Sequence, residues 1–141
     1  MSESTTHKSV RRRVHRPVVL VIDDDRDARA IYGTYLRSKG CRVFTALDGL
    51  SGVIKARLRL PDVVVMDLAL PALDGWTATA LLKRGRRTRG IPVIALSAVQ
   101  TSRDSARAAG CDAYLAKPCL PELLWCEIQL VTRGDAPAAT E

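Results

Sequence analysis

The chain has 141 residues, of which 47% are hydrophobic and 26% charged, and it carries a formal net charge of +7. Those proportions belong to one ordinary folded domain and exclude a disordered chain. No apolar run approaches the roughly 18–20 residues that cross a bilayer, so a membrane-spanning chain is excluded as well.

The charge is uneven. Residues 1–17 hold Lys8, Arg11, Arg12, Arg13 and Arg16 against Glu3, a net +4 that leaves +3 for the other 124 residues. Residues 1–16 are polar, basic and aperiodic and read as a disordered arm. The apolar stretch after Arg11-Arg12-Arg13 is too short for a signal-peptide core, which makes a cytoplasmic location the expectation. The four cysteines (Cys41, Cys111, Cys119 and Cys126) have neither metal-site spacing nor a nearby histidine, and read as reduced thiols.

Pro17 opens the first structured run, Val18-Val19-Leu20-Val21-Ile22. A continuous β-branched run predicts a strand buried on both faces, and it stops at Asp23-Asp24-Asp25. From Asp27 to Lys39, Ala28, Ile31, Tyr35 and Leu36 recur near a 3.6 period and predict a helix closed by Gly40. Arg42 to Ala46 predicts a second strand. Leu50, Val53, Ile54, Leu58 and Leu60 predict the apolar stripe of a second helix, ended by Pro61. Val63-Val64-Val65-Met66 is a third strand, ending at Asp67. Gly75 to Arg84 is a third helix, with Lys83 and Arg84 suited to the negative end of its dipole. Ile91 to Leu96 is a fourth strand, ending at Ser97. Ser102 to Ala109, closed by Gly110, is a short helix. Ala113 to Ala116 is a fifth strand, ending at Lys117-Pro118, and Pro121 to Thr132 a last helix. The expected organisation is a basic arm over 1–16, one domain over 17–133 and a frayed tail over 134–141. Five strands alternating with five helices predict an α/β, flavodoxin-like doubly wound parallel sheet with strand order 2-1-3-4-5.

Polar groups stand at the carboxyl ends of the strands: Asp23 and Asp24, Asp67, Ser97 and Lys117. In an open α/β sheet those ends face one crevice, where ligands bind. Three converging carboxylates repel one another unless a hard divalent cation joins them, and Mg²⁺ suits a site with few oxygen ligands. With a hydroxyl and an ammonium opposite, the set describes phosphoryl transfer. Any one of these residues alone reads as a turn, cap or surface group; it is the ordered set that carries the argument. Asp25 and Asp27 read as helix-start acids.

The order and spacing resemble the receiver domain of bacterial two-component response regulators over roughly residues 17–133. The residues that carry the resemblance are Val21-Ile22-Asp23-Asp24, the Asp-x-x-x-Pro-x-x-Asp-Gly loop from Asp67 to Gly75, Ala95-Leu96-Ser97-Ala98, and Ala113 to Pro118. The resemblance implies that Asp67 is the phosphoacceptor. It implies Mg²⁺ ligation by Asp24, Asp67 and the backbone carbonyl of Ala69, with Asp23 acting through water. Lys117 is then the lysine that pairs with Asp67 and later with phosphoryl oxygens. Ser97 and Tyr114 are the switch residues, and the peptide before Pro118 is cis. The implied partners are a sensor histidine kinase or histidine phosphotransfer protein, and an effector that reads the surface of the fourth helix, fifth strand and fifth helix. Trp125 reads either as part of that surface or as core. Cys119 stands where a bulky apolar residue is usual. Ala69 leaves the phosphoryl site little covered, which implies a lifetime limited by hydrolysis.

Asp23-Asp24-Asp25 also contains the Asp-x-Asp of haloacid-dehalogenase-type phosphatases. That reading lacks a later acidic pair and leaves Asp67 unexplained. A receiver-like module that takes no phosphate is the other alternative, and the complete acid, hydroxyl and lysine set argues against it. The chain is expected to be no enzyme beyond its own phosphoryl transfer and dephosphorylation. The eight residues after 133 leave no room for a DNA-binding domain, so output is expected through a partner. Finally, Arg57 and Arg59, the run with Arg86, Arg87 and Arg89, and the arm with Arg11, Arg12 and Arg13 all precede strands. They predict one basic edge opposite the crevice, either simply solvated or open to an acidic protein, a membrane surface or nucleic acid.

Overall fold

The computed structural model describes residues 16–70, 73–98 and 103–133. The expected arm with Arg11, Arg12 and Arg13, and the expected tail from 134 onward, lie outside these residues. The elements are β1 (Val18–Ile22), α1 (Arg26–Ser38), β2 (Arg42–Ala46), α2 (Gly49–Arg59), β3 (Val63–Asp67), α3 (Gly75–Arg84), β4 (Val93–Ser97), α4 (Arg103–Ala109), β5 (Ala113–Ala116) and α5 (Pro121–Arg133). The strands form one parallel sheet in the order β2-β1-β3-β4-β5, as the alternating pattern predicts.

Alternation along the strands builds two cores. Leu20, Ile22, Val64, Met66, Val93 and Ala95 face one side with Val53 and Ala56 of α2, Ala78 and Leu82 of α3, and Ala106 of α4. Val19, Val21, Val63, Val65, Ile94 and Leu96 face the other with Tyr32 and Leu36 of α1 and Leu124 and Ile128 of α5. β3 and β4 are buried throughout, which is why they read as unbroken apolar runs rather than alternating ones. Helix starts follow cap chemistry: Asp25, Asp48 and Asp74 accept N–H bonds from Asp27, Ser51 and Thr77 at 3.0, 2.8 and 2.7 Å.

Two expected stripes need correction. On α1 the buried positions are Tyr32, Gly33 and Leu36, whereas Ile31 is exposed. The departure on α2 is larger. Its buried face is Gly49, Gly52, Val53 and Ala56, while Leu50, Ile54 and Leu58 are 60%, 47% and 75% exposed. The reason is distance. A Cβ on Gly52 would lie 2.9 Å from Ile22 Cγ1, and one on Gly49 would lie 3.1 Å from the Leu73 carbonyl carbon. α2 sits too close to the sheet for large side chains, so small residues face inward and large ones outward. Val53→Ala should therefore cost about 1.5 kcal/mol in a denaturant titration. Leu58→Gln should stay within about 0.5 kcal/mol of the unmodified chain.

Arg57, Arg59, Arg86, Arg87 and Arg89 are exposed, and each lies near the start of β3 or β4, at the amino edge of the sheet. Arg59 stacks over Phe44 of β2 with its guanidinium 4.8 Å from the ring centre, so part of this basicity serves packing. Lys83 does not simply cap α3: its ammonium is bonded to Asp112 at 2.9 Å and to the Ile91 carbonyl at 2.9 Å. The four cysteines are free thiols. Trp125 is half-buried against the α1–α5 core, which joins the two readings of it. Among the described residues no helix is long and apolar enough to cross a membrane.

Candidate functional site

The strand ends deliver their polar groups to one place. β1 runs into Asp23 and Asp24, and β3, its hydrogen-bonded neighbour, ends on Asp67. Ligand oxygens of these three carboxylates lie within 4.8 Å of one another. Asp23 and Asp67 are 1% and 5% exposed, whereas Asp24 faces solvent. Ser97 ends β4 and is buried, and Tyr114 lies half-buried on β5 beside Ala95. Lys117 follows β5, with its own N–H bonded to the Ser97 carbonyl at 2.8 Å.

Backbone geometry fixes the acids. The Asp25 N–H donates to Asp23 Oδ1 at 2.9 Å, and the Ala69 N–H donates to Asp67 Oδ1 at 3.0 Å. Gly75, first residue of α3, packs under the end of β3: a Cβ there would lie 2.6 Å from Leu68 Cα and press on the Asp67 carbonyl oxygen. The Asp-Gly pair of the loop thus has a double use, Asp74 as helix cap and Gly75 as the point of closest approach. Pro71 and Ala72 of that loop lie outside the described residues.

Lys117 makes the expected ion pair with Asp67 and a second, shorter one with Asp23. Its Nζ is 2.8 Å from Asp23 Oδ2 and 3.7 Å from Asp67 Oδ2, so the tight pair is with Asp23. Asp67 already has one oxygen engaged by Ala69, and Lys117 reaches across to both acids. Burial raises the Asp67 pKa; the Ala69 bond and Lys117 oppose this, while the charges of Asp23 and Asp24 add to it. Burial acts to lower the Lys117 pKa, but the hydrogen bond and charge of Asp23, with Asp67 behind them, outweigh it and leave it raised. The crevice therefore holds excess negative charge, with one ammonium on its wall. Three hard oxygen donors, one of them open to solvent, fit a divalent cation that keeps part of its water. The Lys117–Pro118 peptide is cis.

Sequence reasoning missed two groups. Arg29 Nη1 donates to the Asp23 carbonyl at 2.8 Å, and Tyr32 Oη donates to the Cys119 carbonyl at 2.9 Å. Neither has a motif. The available signal was their three-residue spacing on α1 just after the acids.

A family model of the response regulator receiver domain matches residues 19–129. The protein PilG of Pseudomonas aeruginosa is 38% identical over 108 residues, which span 75% of this chain and 80% of PilG. The transcriptional regulator RpaA of Synechocystis is 34% identical over 83% of this chain, which spans 49% of RpaA. The chain thus spans most of one relative and about half of the other. Among solved structures, the chemotaxis response regulator CheY4 of Vibrio cholerae superposes with a TM-score of 0.76 at 27% identity, covering 81% of this chain and 97% of that one. The receiver domain of the sensor histidine kinase PA1611 from Pseudomonas aeruginosa, solved with a magnesium ion in its active-site cleft, gives 0.78 at 32% identity, covering 84% of this chain and 99% of that one. Fold, strand order and sequence agree: the chain belongs to the response regulator receiver domains of two-component signalling.

Proposed function

We propose that this domain is a phosphoacceptor switch in which Asp67 takes a phosphoryl group in the presence of Mg²⁺. The observation that carries the reading is the placement of Asp67, buried at the end of β3 within 4.8 Å of two further acids and 3.7 Å from an ammonium. Asp24, Asp67 and the Ala69 carbonyl would hold Mg²⁺, with Asp23 acting through water. A bound Mg²⁺ neutralises the carboxylates and the donor's phosphoryl oxygens. The PA1611 receiver, with its magnesium ion, supports this choice of metal.

An Asp67 carboxylate oxygen attacks phosphorus, and the bond from phosphorus to the donor breaks. The donor is a phosphohistidine of a sensor kinase or phosphotransfer protein, or a small phosphodonor, and its leaving group keeps the electron pair. The product is an acyl phosphate. Lys117 pairs with the new phosphoryl oxygens, and the Ser97 hydroxyl turns toward them. Tyr114 follows inward, so the α4–β5–α5 surface changes for an effector protein. The chain acts on no other substrate.

Incubation with acetyl phosphate tests the reading directly. With Mg²⁺ the chain should shift on a phosphate-affinity gel, and borohydride trapping followed by peptide mass spectrometry should place the modification at Asp67. Chelation of Mg²⁺ should remove the shift. Modification elsewhere, or none even with histidine kinases supplied, would overturn it.

A further inference from the structure

Both halves of the crevice are tied to one face of α1. Arg29 and Tyr32, three residues apart, are neighbours on the helix surface. Arg29 grips the carbonyl of Asp23, after β1, and Tyr32 grips the carbonyl of Cys119, after β5. Between these two anchors the side chains of Asp23 and Lys117 meet at 2.8 Å.

The segment from Lys117 to Cys119 is therefore pinned at both ends. At residue 117 the backbone N–H is bonded to β4 through the Ser97 carbonyl at 2.8 Å. At residue 119 the carbonyl is bonded to the Tyr32 hydroxyl at 2.9 Å. Tyr32 is 6% exposed and the bond is part-buried, so water competes for it less than at the open surface. Its phenol lies within electrostatic reach of Lys117 and Asp23 as well as Cys119. A side chain recruited only to fill the core would need the ring and not the hydroxyl.

We propose that Tyr32 is a positioning residue for phosphoryl transfer at Asp67, its hydroxyl holding the Lys117–Cys119 segment so that the Lys117 ammonium stays between Asp23 and Asp67. The proposal rests on the phosphoacceptor reading above. Its physical basis is the small margin at Lys117, whose Nζ is 2.8 Å from one acid and 3.7 Å from the other. Transfer requires that ammonium to meet phosphoryl oxygens growing on Asp67. Displacements of about 1 Å in such geometry cost on the order of 100-fold in rate. Loss of one hydrogen bond two residues away shifts the loop less, for an expected loss of about fivefold.

Tyr32→Phe removes the hydroxyl and keeps the ring. It should be compared with the unmodified chain, Lys117→Ala and the double variant. The readouts are the acetyl phosphate reaction rate at saturating Mg²⁺, Mg²⁺ affinity from the fluorescence of Trp76, which follows Gly75 in the first turn of α3, and amide exchange at Lys117. In Tyr32→Phe the rate should fall about fivefold, Mg²⁺ affinity should not weaken, and the Lys117 amide should exchange faster. In the Lys117→Ala background the same change should have no further effect on rate, because the group being positioned is gone. A merely structural role would weaken Mg²⁺ binding and slow the Lys117→Ala variant by the same factor, and either result overturns the proposal. Unchanged phosphate uptake in Tyr32→Phe overturns it alone. No uptake by the unmodified chain overturns the phosphoacceptor reading and takes the proposal with it.

Discussion

Asp67→Asn is expected to abolish phosphate uptake from acetyl phosphate and at the same time make the fold more stable at neutral pH by about 1 kcal/mol. Uptake is lost because an amide cannot supply the attacking oxygen. Stability rises because Asp67 is 5% exposed, shares its crevice with Asp23 and Asp24, and is only second in line for Lys117. Burial raises its pKa, so ionising it in the folded state is costlier than in the unfolded chain. The pH dependence follows. Well below the unfolded carboxylate pKa of about 3.9, Asp67 is neutral in both states, and this contribution to the difference between the chains vanishes. As pH rises through the unfolded and then the raised folded pKa, the unmodified chain loses stability relative to the Asn variant; above that the difference is constant. Thermal unfolding from pH 3.5 to 7.5 (roughly the span of the carboxylate titrations) should show a difference that opens and then levels off. Mg²⁺ should narrow it, since an ion bound by the folded state stabilises the unmodified chain by mass action. A variant less stable than its parent at pH 7 would mean that Asp67 is held by its hydrogen bond and Lys117 rather than strained by its neighbours.

Gly75→Ala should lower stability by about 2–3 kcal/mol. The added methyl would meet the Asp67 carbonyl oxygen and lie 2.6 Å from Leu68 Cα, and these are backbone atoms that no rotamer change can move. α3 must lift off the end of β3, straining the 3.3 Å bond from the Gly75 N–H to the Leu68 carbonyl. The melting temperature should fall by about 6–10 °C for a chain of this size. The same shift moves the backbone that carries Asp67, so Mg²⁺ affinity should fall as well. Gly90→Ala is the matched control: nothing lies within 4 Å of its added methyl, and the stability change should stay within about 0.5 kcal/mol.

The strand ends were the legible part of this sequence. A parallel strand buried on both faces has a clear pattern, and the polar residue at its end marks the crevice, as Asp23, Asp67 and Ser97 do, whereas Lys117 follows the half-buried β5. The cis peptide before Pro118 came from family resemblance and not from spacing. Less legible was anything decided by distance between elements. Leu50, Ile54 and Leu58 have helical period and apolar character, yet face solvent because Gly52 brings α2 against Ile22 of the sheet and Gly49 brings it against Leu73 of the loop before α3. Periodicity reports which residues share a face, and only the packing distance decides whether that face points in. The pair of Lys117 with Asp67 followed from the resemblance, but the closer contact with Asp23 was not legible for a related reason: two acids on adjacent strands are equivalent in sequence, and only the 2.8 Å and 3.7 Å separations rank them. Tyr32 was passed over because a tyrosine inside an amphipathic helix carries no sign that its hydroxyl will reach a loop 87 residues away.

The inside-out α2 also changes how tolerance to mutation is distributed along it. Hydropathy would mark Leu58 as precious and Gly52 as dispensable, but the sheet enforces the opposite ranking. Drift at positions 50, 54 and 58 is limited by solubility alone, so Leu50, Ile54 and Leu58 can be traded for polar residues with little change in fold. Position 52 has no such latitude, because Ile22 already occupies the volume that any side chain would need.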